Sequence, residues 1–184
     1  MNLNDAIMPL SSLSGVNRPI RVKLWNEDGL VDEVLLVKAV AGIEAVCDGF
    51  EYRLLCVAAI AGLELKQFIA MPAEVQFVTS TGGLRSVCGI VDGAEAGESD
   101  GGLATYQLIV RDALSIMDKG CNTRIFRNMN ELDITNIVLA DWWRANPVLA
   151  RAFTFEGWRM KTKYPQREFT MQYRESDTAF LRRL

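Results

Sequence analysis

The sequence predicts a mainly β protein with a minor α part (α+β). An antiparallel, barrel-like domain over residues 18–115 is followed, over 116–184, by a helix and the start of a second β region. Three observations carry that expectation. Short runs of β-branched and aromatic residues recur between turn signals from Arg18 to about Val110. A clear helical period comes only late, roughly from Leu132 to Trp143. Hydrophobic residues fill 49% and charged residues 23% of the 184 positions, the balance of a chain that buries a core rather than staying disordered.

In order along the chain, "IRVKLW" alternates as a half-buried strand does, and "NEDG" behind it supplies residues that tolerate turn backbone. "VDEVLLVKAVAGIEAV" reads as one or two strands with Gly42 as a bend or bulge. "FEYRLLCVAA" is the next strand, and "LELKQFI" a helical turn or short loop leading to Pro72. "AEVQFVTSTGGLRSVCGIV" is the clearest hairpin, two apolar runs around "TSTGG". "DGAEAGESDGG" reads as a flexible connection before the strand "GLATYQLIV". Strands at such short spacing suggest a closed barrel or a sandwich, and closure would remove exposed edges.

After Asp112 the texture changes. Ile134, Ile137, Val138, Asp141 and Trp142 place a mostly apolar face on one helix, with Asn130 or Asp133 as its cap and Asn146-Pro147 as its end. "FTFEGWRMKT" and "FTMQYRES" follow. Ser176 or Asp177 then caps a terminal helix whose Phe180, Leu181 and Leu184 share a face. A helix that short needs a partner surface, because nucleation is unfavourable.

Composition narrows the function. "LLCVAAIAGLEL" is broken by Gly62 and Glu64 well short of the ~20 apolar residues of a spanning helix, so no membrane anchor is expected. "MNLNDAIMPLSSLSG" lacks the basic start and apolar centre of a secretory signal, and residues 1–17 read as a flexible leader. The net charge of −3 argues against a general phosphate-binding surface. Its distribution is uneven: residues 1–150 hold 12 Lys/Arg against 19 Asp/Glu, and 151–184 hold 8 against 4. The basic end is either a solvated face or a surface that meets an acidic partner.

No catalytic, cofactor-binding or metal-binding residue is expected. With no histidine, the usual triads and imidazole acid/base chemistry are missing. Cys47, Cys56, Cys88 and Cys121 show no C-x-x-C pairing, which disfavours a zinc site. Cys56 and Cys88 read as small core residues. Glu95, Glu98 and Asp100 sit in a Gly-rich stretch that would not hold two carboxyl groups at the fixed spacing glycoside chemistry needs. The same stretch lacks the Gly-Lys-Ser/Thr ending of a phosphate loop and leads into a strand. Phe153, Phe155, Trp158, Tyr164 and Tyr173 could form a single-strand nucleic-acid platform or be half core and half interface. Trp142-Trp143 point about 100° apart on a helix, so the pair is either core or a subunit contact.

Several stretches together resemble the valine-glycine repeat protein G (VgrG) family, the trimeric spike of the type VI secretion system, in its N-terminal, phage-tail-hub-like part. They are "VKAVAGIEAVCDGFEYRLLCVA", "AMPAEVQFVTSTGGLRSVCGIVDGAE", "GESDGGLATYQLIVRDALSIM", "RIFRNMNELDITNIVLADW" and "YPQREFTMQYRESDTAFLRRL". The most specific are Tyr164-Pro165, Arg167-Glu168 and Gln172-Tyr173-Arg174-Glu175-Ser176-Asp177, with Ser99-Asp100-Gly101-Gly102 as a second anchor. The resemblance implies a structural, non-enzymatic role without cofactors: a homotrimer in the full-length protein that docks on the hexameric inner-tube protein. Effector or tip proteins would attach through further C-terminal regions. It implies assembly in the bacterial cytoplasm, export through the secretion apparatus without a signal peptide, and no nucleic-acid partner. Since family members continue past "FLRRL", the chain is expected to be a truncated hub, with apolar patches where the remainder would pack. The other readings are a phage or phage-like baseplate hub and a stand-alone β-barrel binding module for nucleic acid or glycan.

Overall fold

The computed structural model describes residues 18–26, 28–31 and 35–184, so the expected leader over 1–17 lies outside the described residues. The chain divides into two compact units, the first ending at Asp112 and the second spanning Ala113–Leu184.

Among the described residues the first unit is one antiparallel sheet of seven strands. They are β1 (Ile20–Asn26), β2 (Gly29–Val31), β3 (Leu36–Ala45), β4 (Gly49–Ala58), β5 (Pro72–Val78), β6 (Leu84–Ser99) and β7 (Ala104–Arg111), in the order β2-β1-β5-β6-β7-β4-β3. Two central strands show why it folds. In β7 burial alternates with the pleat, Ala104, Tyr106, Leu108 and Val110 pointing inward. Opposite them on β4 stand Ala58, Cys56, Leu54 and Tyr52, paired in the same order. The wholly apolar stretch of β4 is therefore buried at every second residue. Tyr106 also pins the segment after β4: its hydroxyl donates to the Ile60 carbonyl at 2.9 Å and accepts from the Leu63 amide at 3.2 Å.

The mainly β expectation holds, and closure does not. Strands β2 and β3 end the sheet, and among the described residues no ladder joins them. Bulges between Val37 and Ala39 on β3 and between Val91 and Gly93 on β6 bend the strands. Side chains reach β3 from segments it does not pair with: an Arg18 guanidinium nitrogen donates to the Val37 carbonyl at 3.2 Å, and Arg85 on β6 pairs with Glu44, which also accepts from the Tyr52 hydroxyl on neighbouring β4. Each edge strand is bonded to one neighbour by a backbone ladder, β2 to β1 and β3 to β4, and has no ladder on its other side.

Three local expectations are corrected. The bend in β3 falls at Lys38, not Gly42. Gly42 instead leaves room for the Tyr52 ring, since a Cβ there would lie 2.1 Å from Tyr52 Cδ1. "DGAEAGES" is not a flexible connection but the second half of β6, paired with β7 from Ile90↔Arg111 to Ser99↔Ala104. Cys88 is exposed, and only Cys56 is a core cysteine.

The second unit packs helices against a two-stranded ribbon of β8 (Asn122–Met129) and β9 (Arg167–Glu175). Between them run α1 (Glu131–Ala145), α2 (Pro147–Ala152) and a single 3-10 turn, and α3 (Asp177–Arg183) follows β9. Both proposed caps of α1 act together: Asn130 Oδ1 accepts from the Asp133 amide at 2.9 Å and Asp133 Oδ2 from the Asn130 amide at 3.3 Å. The buried face of α1 is Ile134, Val138 and Leu139, while Ile137 and Asp141 lie outside it. Asn146 ends α1, and Pro147 opens α2, where its missing N–H is harmless. Met117, Phe126, Ile134, Val138, Leu139 and Phe180 form the core. Phe180 is fully buried and stacks on Phe126 with ring centroids 5.7 Å apart. Burial of a side chain that size contributes about 2–3 kcal/mol, enough to hold a seven-residue helix that would melt alone.

Candidate functional site

The second unit contains one buried carboxylate, and it organises the surface that matters most. Ser176 caps α3, its Oγ accepting from the Ala179 amide at 3.1 Å and donating to Asp118 at 2.7 Å. Asp177, the next residue, sits in the first turn of that helix with 1% exposure. Its oxygens accept from Trp142 Nε1 at 2.6 Å, Gln172 Nε2 at 2.7 Å, Asn122 Nδ2 at 3.0 and 3.1 Å, and Arg124 at 3.2 Å. Burial alone would raise the Asp177 pKa. The donors from Gln172, Asn122 and Trp142, with the charge of Arg124, outweigh it and hold the carboxyl below the usual aspartate range.

That carboxylate draws one face of the ribbon inward. Arg124 and Phe126 on β8, and Thr170 and Gln172 on β9, turn toward the helices. Because strand side chains alternate, the neighbouring positions point out. Ile125 is 56% exposed, Phe169 51%, Met171 39% and Tyr173 57%, and Ile125 stands directly opposite Met171. Four large apolar side chains on one ribbon face form a patch of the kind that marks a protein–protein interface.

A second apolar feature lies among the helices, a groove of about 360 Å³ with Leu132, Leu139, Phe153, Phe155 and Leu184 in its walls. The aromatic residues singled out in the sequence are thus divided. Phe153, Phe155 and Tyr164 line this groove, Tyr173 belongs to the ribbon face, and Trp158 is 78% exposed on a 3-10 turn. They do not form one stacking platform. The Trp142-Trp143 pair is half-buried and packs against the core: Trp142 is tied to Asp177, and Trp143 packs against Phe153 at 5.7 Å.

The acidic stretch is equally settled in place. Glu95 accepts from Gln107 Nε2 at 3.3 Å across the β6–β7 ladder. Asp100 Oδ1 accepts from the Leu103 amide at 2.7 Å and the Gly102 amide at 2.9 Å, and these donors hold its carboxyl below the usual range. Asp100 is a turn cap. Among the described residues no group of three or more Cys, Asp or Glu is placed to hold a metal ion, and no helix is long and apolar enough to cross a membrane. Asp177 and its donors were missed as a group by sequence reasoning, because they come from four separate elements and only the fold assembles them.

The phage tail baseplate hub family model matches residues 43–184, which takes in β4 through α3 and therefore both the Asp177 cluster and the ribbon face. The chain belongs to the phage tail baseplate hub family. Among the relatives of this hub chain, type VI secretion system spike protein VgrG4b of Pseudomonas aeruginosa is 31% identical over 157 residues, 85% of this chain and 18% of that protein. Spike protein VgrG3 of Vibrio cholerae is 28% identical over 166 residues, 85% of this chain and 15% of that protein. The actin cross-linking toxin VgrG1 of Vibrio cholerae is 30% identical over 166 residues, but only 14% of its length is matched. The hub chain thus spans less than a fifth of these relatives. The E. coli c3393 protein, described as a type VI secretion component similar in structure to bacteriophage T4 tail proteins gp27 and gp5, shares the hub fold. It superposes with a TM-score of 0.66 at 20% identity, covering 89% of this chain and 42% of that one.

Proposed function

We propose that this chain is the hub segment of a type VI secretion spike, a non-enzymatic assembly part. In this reading it works as a homotrimer within a longer protein, docks on the hexameric inner-tube protein, and leaves effectors or tip proteins to regions beyond the hub. Assembly takes place in the bacterial cytoplasm, with export through the apparatus itself. The observation that carries the reading is the continuous match to hub and spike proteins across residues that build an outward apolar ribbon face. An assembly part needs such a face and needs no reaction centre. A phage or phage-like baseplate hub is the second reading, favoured by the family's own description.

The test joins residues 18–184 to the remaining hub of a spike relative and mixes the product with hexameric inner-tube rings. Trimers that cap the rings in negative-stain images support the spike reading. Folded trimers that ignore those rings but cap rings of a phage tail tube favour the second, and folded monomers that bind neither refute both.

A further inference from the structure

The two units carry opposite charge. Residues 1–112 hold 8 Lys/Arg against 15 Asp/Glu, whereas 113–184 hold 12 against 8. On the second unit, the segment between Glu156 and Glu168 contains Arg159, Lys161, Lys163 and Arg167 and no acidic residue. Arg159 and Arg167 are paired within the unit, to Glu156 and Glu131. Lys161 and Lys163 are exposed and extend from a surface that also carries Trp158 at 78% and Met160 at 46% exposure, with the Arg159 guanidinium 5.1 Å from the Trp158 ring. Trp158, Arg159 and Met160 are residue types enriched at interfaces, and the two exposed lysines behind them supply a charged rim.

The complementary chemistry is in the same chain. Between Arg85 and Arg111 there is no basic residue, and the far end of the β6–β7 hairpin presents Glu95 and Glu98, both exposed, with Leu103 beside them at 37%. It is a hairpin of paired strands, with a register shift between Ala96 and Ser99. We infer that the Trp158–Lys163 surface of one copy takes the acidic β6–β7 hairpin of a second copy, the lysines facing Glu95 and Glu98. The contact is heterologous: each copy offers one lysine surface and one hairpin, so association need not stop at two copies. Charge pairing sets register and encounter rate, and the flanking apolar side chains are what is removed from water. The inference rests on the assembly role proposed above but concerns contacts between copies of the hub segment alone.

The experiment is sedimentation of the 184-residue chain over a range of concentration, at low and at high salt. Self-association that weakens as salt rises is expected, since exposed charges are screened beyond about 10 Å at 0.1 M. Lys161→Glu with Lys163→Glu, and separately Glu95→Lys with Glu98→Lys, should each weaken association about tenfold or more. An equimolar mixture of the two variants should form mixed pairs, because the reversed surface of one then meets the reversed hairpin of the other. A wild-type chain that stays monomeric at low salt, variants that associate like wild type, or a mixture that stays apart would overturn the inference. So would binding of the wild type to phosphatidylserine vesicles without self-association. The ring-capping test above uses the extended protein and the tube rings, so either result can fail alone.

Discussion

The indole nitrogen of Trp142 donates to the Asp177 carboxylate at 2.6 Å, joining the last turn of α1 to the first turn of α3 across 35 residues of sequence. Asp177 is buried and receives four different side chains. Removing its charge therefore leaves Arg124 without its partner and strands several donors at once. Asp177→Asn should destabilise the second unit by about 3 kcal/mol, as loss of one member of a buried ion pair typically does. Urea denaturation followed by near-ultraviolet dichroism of the tryptophans would measure it.

The same residue gives a pH dependence with a definite sign. Its folded pKa is depressed below the ordinary 3.8, so its stabilisation is complete above that value and is lost as pH falls through the lower folded value. Wild type should lose more stability than Asp177→Asn as pH falls below about 4, where the unfolded carboxyl takes up a proton before the folded one does. Parallel curves for the two proteins would show that the carboxylate is not held as described.

Two glycines of one chain should respond differently to alanine. At Gly89 a Cβ would lie 2.2 Å from the Arg111 carbonyl oxygen and 2.7 Å from the Phe50 ring, and backbone cannot give way cheaply. Gly89→Ala should destabilise the first unit by about 2–3 kcal/mol. At Gly120 nothing lies within 4 Å, and Gly120→Ala should leave the melting temperature unchanged or raise it slightly.

The cysteines should separate by burial. Burial pushes the Cys56 thiol up to about 12, and it should react with a thiol reagent only after unfolding. Cys47, Cys88 and Cys121 are exposed and should label in the folded protein. Among them Cys88 is slowed relative to a free thiol, because partial burial and the Glu74 carboxylate raise its pKa. Mass spectrometry of peptides after timed labelling reads all four at once.

The ribbon face should be separable from stability. Ile125 and Met171 point outward and face each other across β8 and β9. Lysine at both positions should leave the unfolding free energy within about 1 kcal/mol of wild type, as substitutions on exposed positions do. The same change should weaken assembly of the extended protein, measured by light scattering.

How far the sequence revealed this molecule depends on where structure is local. The β5–β6 hairpin, the α1 capping box and the start of α3 were legible because each is written in a few adjacent residues. The second half of β6 was not: Gly93, Gly97 and three acids argue against a strand locally, and only pairing with the apolar β7 overrides them. Strand β8 was hidden for a related reason. In "NTRIFRNM" the arginines interrupt the apolar run, and its partner β9 lies some 40 residues on, with Arg127↔Phe169 and Ile125↔Met171. Closure failed for lack of a local signal, since alternation says which face is buried but not whether the last strand bonds to the first. The Asp177 cluster was invisible for the same cause: Asn122, Arg124, Trp142 and Gln172 acquire a common partner only in the fold. The resemblance to spike hubs reached further than these patterns did because it draws on residues spread from Val37 to Leu184.

The most direct test of the assembly role is made in cells. Residues 18–184 replace the matching segment of a spike protein in a strain with an active type VI secretion system, and the inner-tube protein is measured in the medium. The account predicts export near the parental level with the wild-type segment and loss of export with lysine at 125 and 171. A folded, stable chimera that supports no export, or equal export from both segments, would contradict it.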